Sequence, residues 1–325
     1  MISGIKKIIN ILLINLLLIS IFFFLIELFF GYWFDKDNFG PYMREHRMKN
    51  QRAVWKTETE EITYFYKKNY YGFRGKDIEP IEIKAIILGS SLIDERYKPE
   101  KYTITEFLNK KLAENKIDIK FTNGGIEGQT SSGMVAAFEK WLFKIENFSP
   151  KYIIFYLGLN DSFTLDLNIT DDHSGHLLNP DEKEIYYDNI KSRSIIYDSL
   201  RKMKFKYMPE KGFLKYDGKI SEEYIDEYNF IEYKTATETY PIDKLNLKYK
   251  NQIHAYLKRI DKLKAYSEQL NSVPIFVTNI NSKGYEKKLF LYNESLIKHC
   301  LRNNYNCIDL ARKISPKIEY WYDRH

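Results

Sequence analysis

The sequence predicts an α/β fold, a flavodoxin-like three-layer sandwich around a central parallel sheet of five strands. Two observations carry this. Short apolar runs alternate with helical patterns between Lys84 and Leu310, and the three most distinctive loops follow the first three of those runs. Alternating strands and helices call for a parallel sheet covered on both faces, and open sheets of this kind bind ligands beyond the carboxyl ends of their strands. A chain of 325 residues can bury a full core, so we expect one domain with a large insertion.

The first element lies outside that domain. Ile8 to Ile26 holds 19 uncharged, mostly apolar residues, which at about 1.5 Å per residue cross most of a roughly 30 Å hydrocarbon core. Apolar character resumes after Glu27 and closes on Tyr32, Trp33 and Phe34, aromatic residues of the interfacial kind. Residues 1–34 therefore read as a short cytoplasmic tail and one transmembrane helix, with the lipid bilayer as partner through residues 8–34. A cleaved signal peptide competes, but the run is long and no small-x-small site follows it. Lys6 and Lys7 on one side and Lys36, Arg44, Arg47 and Lys49 on the other split the charge rule. A very short tail ahead of a large domain favours an extracytoplasmic body.

Residues 35–83 read as a juxtamembrane stalk, polar and aromatic, ending in the turn-like stretch Asn69 to Gly75. Strands follow at Lys84–Leu88, Ile117–Thr122, Tyr152–Leu157, Val273–Asn279 and Asn306–Leu310. Helices are expected over Pro99–Asn115, Ser132–Phe148, Leu247–Leu270 and Glu286–Arg302. Between about 162 and 245 the alternation breaks into sequence rich in Asp, Asn, Tyr and Lys, with one helical candidate at Asp188–Lys204. This reads as an inserted cap within a domain spanning 84–325.

Composition removes several classes of function. The net charge of +6 is mixed along the chain, with no basic block or nucleic-acid motif, so nucleic acid is excluded as a partner. Cys300 and Cys307 are the only cysteines, too few for a disulfide framework and without zinc-site grouping. They flank a helix-to-strand loop, and either one disulfide or two separate buried thiols fits. We expect no metal and no cofactor.

Three loops carry the chemistry. Gly89-Ser90-Ser91-Leu92 leaves the first strand, where glycine allows a tight turn that presents a hydroxyl. Asn123-Gly124-Gly125-Ile126-Glu127-Gly128-Gln129-Thr130 follows the second, with glycines that either expose backbone N–H groups or close a turn. Gly158-Leu159-Asn160-Asp161 follows the third, with a carboxamide donor or a plain Asn-Asp turn. Each is common alone. Together and in this order they resemble the blocks of the SGNH (GDSL-like) hydrolase and acyltransferase family, over roughly Lys84 to Asp161. Asn69 to Gly75 also looks like the segment preceding this domain in membrane-anchored bacterial members.

The resemblance implies a serine nucleophile at Ser91, with Ser90 replacing the usual Asp of Gly-Asp-Ser-Leu. It implies an oxyanion hole from the Ser91 and Gly128 N–H groups and the Asn160 amide. The family's closing Asp-x-x-His block would supply the base, and this sequence ends in Tyr322-Asp323-Arg324-His325, one residue shorter. Asp323 and His325 serving in a shortened motif, a natural chain continuing past His325, and lost catalysis all stay open, and we take Asp323 and His325 as candidates. His173 and His176 read first as part of a solvated polar loop, with metal ligation or a substitute base as the alternatives, whereas His46, His254 and His299 read as surface residues.

Ser91 would then attack an ester carbonyl as His325 takes its proton and Asp323 orients the ring. The expected activity is that of a serine esterase or O-acyltransferase on ester-linked, acetyl-sized groups of cell-surface glycans, at the bacterial cytoplasmic (inner) membrane. A lipid esterase and a non-catalytic anchored protein for glycan binding or assembly are the alternatives.

Overall fold

A computed structural model of the chain describes residues 2–31, 33–34, 49–56, 60–69, 71–165, 193–207, 215–216 and 230–314. The chain divides into two compact units. One joins residues 1–44 to 181–209, and the other holds residues 45–180 and 210–325.

In the larger unit, strands β3 (Ala85–Leu88), β4 (Phe121–Asn123), β5 (Tyr152–Tyr156), β7 (Val273–Val277) and β8 (Cys307–Ile308) form one parallel sheet in the order β4-β3-β5-β7-β8. Counted from β3, that order is 2-1-3-4-5, the doubly wound arrangement whose ligand crevice lies where the chain reverses direction across the sheet. The reversal falls between β3 and β5. All four residues of β3 are buried, as a central strand covered on both faces requires.

Alternation along the strands decides the two faces. Ala85, Ile87, Tyr152, Ile154 and Tyr156 pack with Leu108 and Leu112 of helix α3 (Ile104–Glu114). Phe155, on the other face, stacks on Phe276 at 5.2 Å and meets Phe138 of helix α4 (Ser131–Lys140) at 6.1 Å. Phe138 in turn contacts Tyr266 of helix α9 (Lys250–Gln269). Both α3 and α4 start on a threonine whose hydroxyl accepts a first-turn N–H, Thr103 from Glu106 and Thr130 from Gly133. Such caps are worth about 1 kcal/mol each.

The short helix α2 (Ser91–Asp94) follows β3, and α5 (Leu159–Thr164) follows β5. The helix expected over Leu247–Leu270 is two helices, α8 (Ile242–Lys248) and α9, parted where the Tyr249 backbone leaves helical geometry and its ring is buried. Helix α7 (Tyr233–Thr239) precedes them, and α10 (Lys287–Asn303) joins β7 to β8. Cys300 and Cys307 are bonded in a disulfide, Cα to Cα 6.2 Å, which ties the end of α10 to β8.

The segment read as a stalk contains an antiparallel hairpin, β1 (Lys49–Lys56) with β2 (Glu61–Lys68), and β1 also pairs in parallel with β6 (Lys215–Tyr216). Tyr66 and Lys68 near the end of β2 are buried. The turn after them folds around Asn69, whose side-chain carbonyl accepts the N–H groups of Tyr71 and Phe73. The Phe73 ring is fully buried against Trp141 and Phe148.

The smaller unit contains α1 (Ile2–Phe30) and α6 (Ile195–Tyr207). Ile8–Phe30 is long and apolar enough to cross a membrane, a test that a signal sequence near the N-terminus also passes. The Glu27 carboxylate accepts hydrogen bonds from the Ser194 hydroxyl, from the Ile195 and Ile196 N–H groups at the start of α6, and from the Trp33 indole. An acid thus interrupts the apolar run of α1 because it satisfies the unpaired donors that open another helix.

Candidate active site

Ser91, Gly128 and Asn160 stand on the loops that leave β3, β4 and β5, three neighbouring strands, all at the carboxyl edge of the sheet. Hydrogen bonds join the loops in series. The Ile126 N–H donates to the Gly89 carbonyl at 2.9 Å, linking the second loop to the first. The Asn160 amide donates to the Gln129 carbonyl at 2.9 Å, linking the third to the second. Ser91 is half-buried, as is Gly128, while Asn160 is buried.

The glycines of the second loop have separate jobs. A side chain on Gly125 would put its Cβ 2.2 Å from the Asp94 backbone nitrogen, so this glycine lets the loop lie directly on α2. Gly128 has φ +74°, the left-handed turn that reverses the loop ahead of α4.

Beneath α2 lies a cluster of charge that the sequence patterns leave unmarked. Asp94, one helical turn after Ser91, is buried, and its carboxylate accepts the Tyr66 hydroxyl at 2.7 Å. Lys68 Nζ lies 3.5 Å and Arg96 Nη2 3.3 Å from the same carboxylate. Burial alone would raise the Asp94 pKa, but Lys68, Arg96 and the Tyr66 hydroxyl outweigh it and hold the carboxyl below its ordinary range. Neighbouring Glu95 goes the other way, pushed up by burial despite Lys98.

The same side chains knit the loops together. Lys68 Nζ donates to the Gly125 carbonyl at 2.9 Å, Arg96 pairs with Glu127 at 2.5 Å, and Asn123 donates to the Ile93 carbonyl at 2.5 Å. Arg74 donates to the Asp94 carbonyl and, at 2.6 Å, to the Lys98 carbonyl, while its own N–H bonds to Asn123. Arg74 belongs to the Asn69–Gly75 stretch, so that stretch is docked against both the first and the second loop.

Asp161 sits differently. Its carboxylate accepts the Ser131 N–H at 3.1 and 3.2 Å and the Ser131 hydroxyl, with Arg259 Nη2 at 3.8 Å, and Arg259 Nε donates to Ser131 Oγ at 2.8 Å. Ser131 is wholly buried. This serine and carboxylate pair, which the sequence reading did not single out, anchors the start of α4.

Comparison with solved structures finds hydrolases at low similarity. Acetylxylan esterase Axe2 of Geobacillus stearothermophilus, as a catalytic mutant, is 12% identical over 71% of this chain and 79% of its own, with a TM-score of 0.37. AlinE4, an SGNH-hydrolase family esterase, is 10% identical over 70% and 76%, with a TM-score of 0.36. LAE5, an alpha/beta hydrolase from the metagenome of Lake Arreo, Spain, is 14% identical over 71% and 80%, with a TM-score of 0.38. No protein-family model and no curated protein matches the sequence. At these scores the fold rests on the strand order of this chain.

Asp323, His325, His173, His176 and His46 lie outside the described residues. His254 is exposed on α9. His299 Nε2 is 2.6 Å from Asp261 Oδ1, which also accepts the Tyr305 hydroxyl. That pair stands near the carboxyl end of α10, a helix running from the Ser91 edge back toward the start of β8, so it belongs to the opposite end of the sheet. Among the described residues no three His, Cys, Asp or Glu side chains group as a metal site. The Ser90 hydroxyl, where the family resemblance expects a carboxylate, is buried with no hydrogen-bond partner among the described residues.

Proposed function

We propose that the protein is a serine esterase or O-acyltransferase that works through an acyl-enzyme on Ser91. The observation that supports this most is the convergence of Ser91, Gly128 and Asn160 on one sheet edge, joined through the Gly89 and Gln129 carbonyls. Ser91 Oγ attacks the ester carbonyl and gives up its proton to a base, for which His325, oriented by Asp323, is the candidate. The Ser91 and Gly128 N–H groups and the Asn160 amide bind the oxyanion of the tetrahedral intermediate. Its collapse expels the alcohol, which takes the proton, and the acyl group then passes to water or to a second hydroxyl.

The substrate we assign is an ester-linked, acetyl-sized group on cell-surface glycan. Residues 8–34 would anchor the chain in the bacterial cytoplasmic (inner) membrane with the α/β domain outside. The Cys300–Cys307 disulfide supports the outside placement, because such bonds persist in oxidising compartments.

A second reading makes Ser131 the nucleophile, since its hydroxyl already bonds to Asp161 and Arg259. Its complete burial speaks against that role. One experiment separates the readings: the full-length chain is treated with a fluorophosphonate and the adduct mapped by peptide mass, beside Ser91→Ala and Ser131→Ala. An adduct on Ser91 that Ser91→Ala abolishes supports the proposal. An adduct on Ser131 replaces it, and a folded chain that takes no adduct favours non-catalytic glycan binding. Asn160→Ala is expected to lower ester turnover about 10²- to 10³-fold, the usual loss for one oxyanion donor. Unchanged turnover would remove Asn160 from the site.

A further inference from the structure

We propose that α6 is a second membrane contact, lying on the bilayer surface with one apolar stripe seated among anionic lipid headgroups. This rests on the reading of α1 as an anchor. Ile196, Leu200, Met203 and Tyr207 recur at i, i+4, i+7 and i+11, which places them on one helix face. Leu200, Met203 and Tyr207 are 61%, 57% and 68% exposed. A row of large apolar groups on an exposed helix face marks an interaction surface.

Two features identify a membrane as the occupant. The helix sequence carries Arg201, Lys202, Lys204 and Lys206 against the single acid Asp198, and a basic helix with an apolar stripe is the composition of interfacial helices on anionic bilayers. The start of α6 is also clamped to Glu27, in the last turn of α1, and Arg193 just before it donates to the Trp33 carbonyl. The helix therefore begins at the level where the apolar span ends and an aromatic residue marks the interface.

The test uses full-length protein in vesicles of phosphatidylcholine and phosphatidylglycerol at 3:1, with single spin labels at Leu200→Cys, Met203→Cys, Asp198→Cys and, within α1, Leu17→Cys. Collision with oxygen reports lipid and collision with a nickel chelate reports water. We expect the labels at 200 and 203 to be oxygen-accessible and chelate-protected, the label at 198 to be the reverse, and the stripe signal to fall several-fold in pure phosphatidylcholine. Water-exposed labels at 200 and 203 beside a lipid-exposed label at 17 would overturn this inference and leave the anchor standing. A water-exposed label at 17 would overturn the anchor itself, independently of the stripe result. Stripe labels shielded from both reagents would mean a protein partner, and equal insertion in both lipid mixtures would rule out the role of anionic headgroups.

Discussion

Asp94 and Asp161 are both buried carboxylates in short helices at the carboxyl edge of the sheet, yet they are held in opposite ways. Asp94 lies among cations: Lys68 and Arg96 face it, and the Tyr66 hydroxyl completes its shell. Asp161 is held mainly by a helix start, through the N–H and hydroxyl of Ser131, with Arg259 farther off. The first arrangement imports its charges from the β2 hairpin strand and the chain beside α2. The second uses the donors that α4 leaves unpaired in any case. A carboxylate that neutralises buried cations is harder to lose than one that caps a helix.

The largest effect expected is therefore at Asp94. Asp94→Ala leaves Lys68 buried without its carboxylate, and breaking a buried pair in this way costs about 3 to 5 kcal/mol. Urea denaturation checks it. Adding Lys68→Met to Asp94→Ala should recover part of the loss, since the stranded charge goes too. No recovery would mean that the cost lies in packing, and the contrast with Asp161 would collapse.

Asp161→Asn is expected to cost less, about 1.5 to 3 kcal/mol, the worth of hydrogen bonds to a charged group. Because Asn160 is the adjacent residue of α5, ester turnover should fall with it. A loss of stability as large as that of Asp94→Ala would erase the distinction between the two carboxylates.

Acid provides a smaller, graded test. The folded-state pKa of Asp94 is depressed, so its contribution is fully present above the unfolded carboxylate value of about 3.9 and is lost as pH falls through the folded value. Glu95 is raised by burial, so its effect has the opposite sign: stability falls as pH climbs from about 4.3, the unfolded glutamate value, through the folded one. Stability measured against pH should drop below about pH 4 in the parent chain and drop less steeply in Asp94→Ala. Parallel acid limbs would show that folding does not lower the Asp94 pKa.

Much of the fold was legible because strand and helix periods leave direct marks. Ala85–Leu88 and Tyr152–Tyr156 lie where the apolar runs placed strands, and Thr130 caps a helix beside its expected start at Ser132, whereas the helix expected from Pro99 starts only at Ile104, after a separate turn at Glu100–Tyr102. The three loops were legible because each follows a strand. The Asp94 cluster was not: Tyr66, Lys68 and Arg96 are an alternating strand face and a loop residue by pattern, and only the docking of the hairpin buries them. Ser131 and Arg259, 128 residues apart in sequence, were equally unmarked. The hairpin itself carries no such mark, because its polar and aromatic residues form no continuous apolar run and by pattern read as stalk.

The smallest effect expected is at Thr130, and it bears most directly on how Asp161 works. Thr130 caps α4 through its hydroxyl, accepting the Gly133 N–H, while Asp161 takes the Ser131 N–H of the same first turn. Thr130→Ala alone should cost about 1 kcal/mol, the usual worth of such a cap. If both groups act on one helix start, the Thr130→Ala, Asp161→Asn double variant should depart from additivity by about 0.5 kcal/mol or more, as coupled neighbours do. At Asp94 the same substitution, paired with Asp94→Ala, should be additive, because that carboxylate answers to cations and not to α4. Coupling at Asp94 and none at Asp161 would reverse the assignment of the two carboxylates.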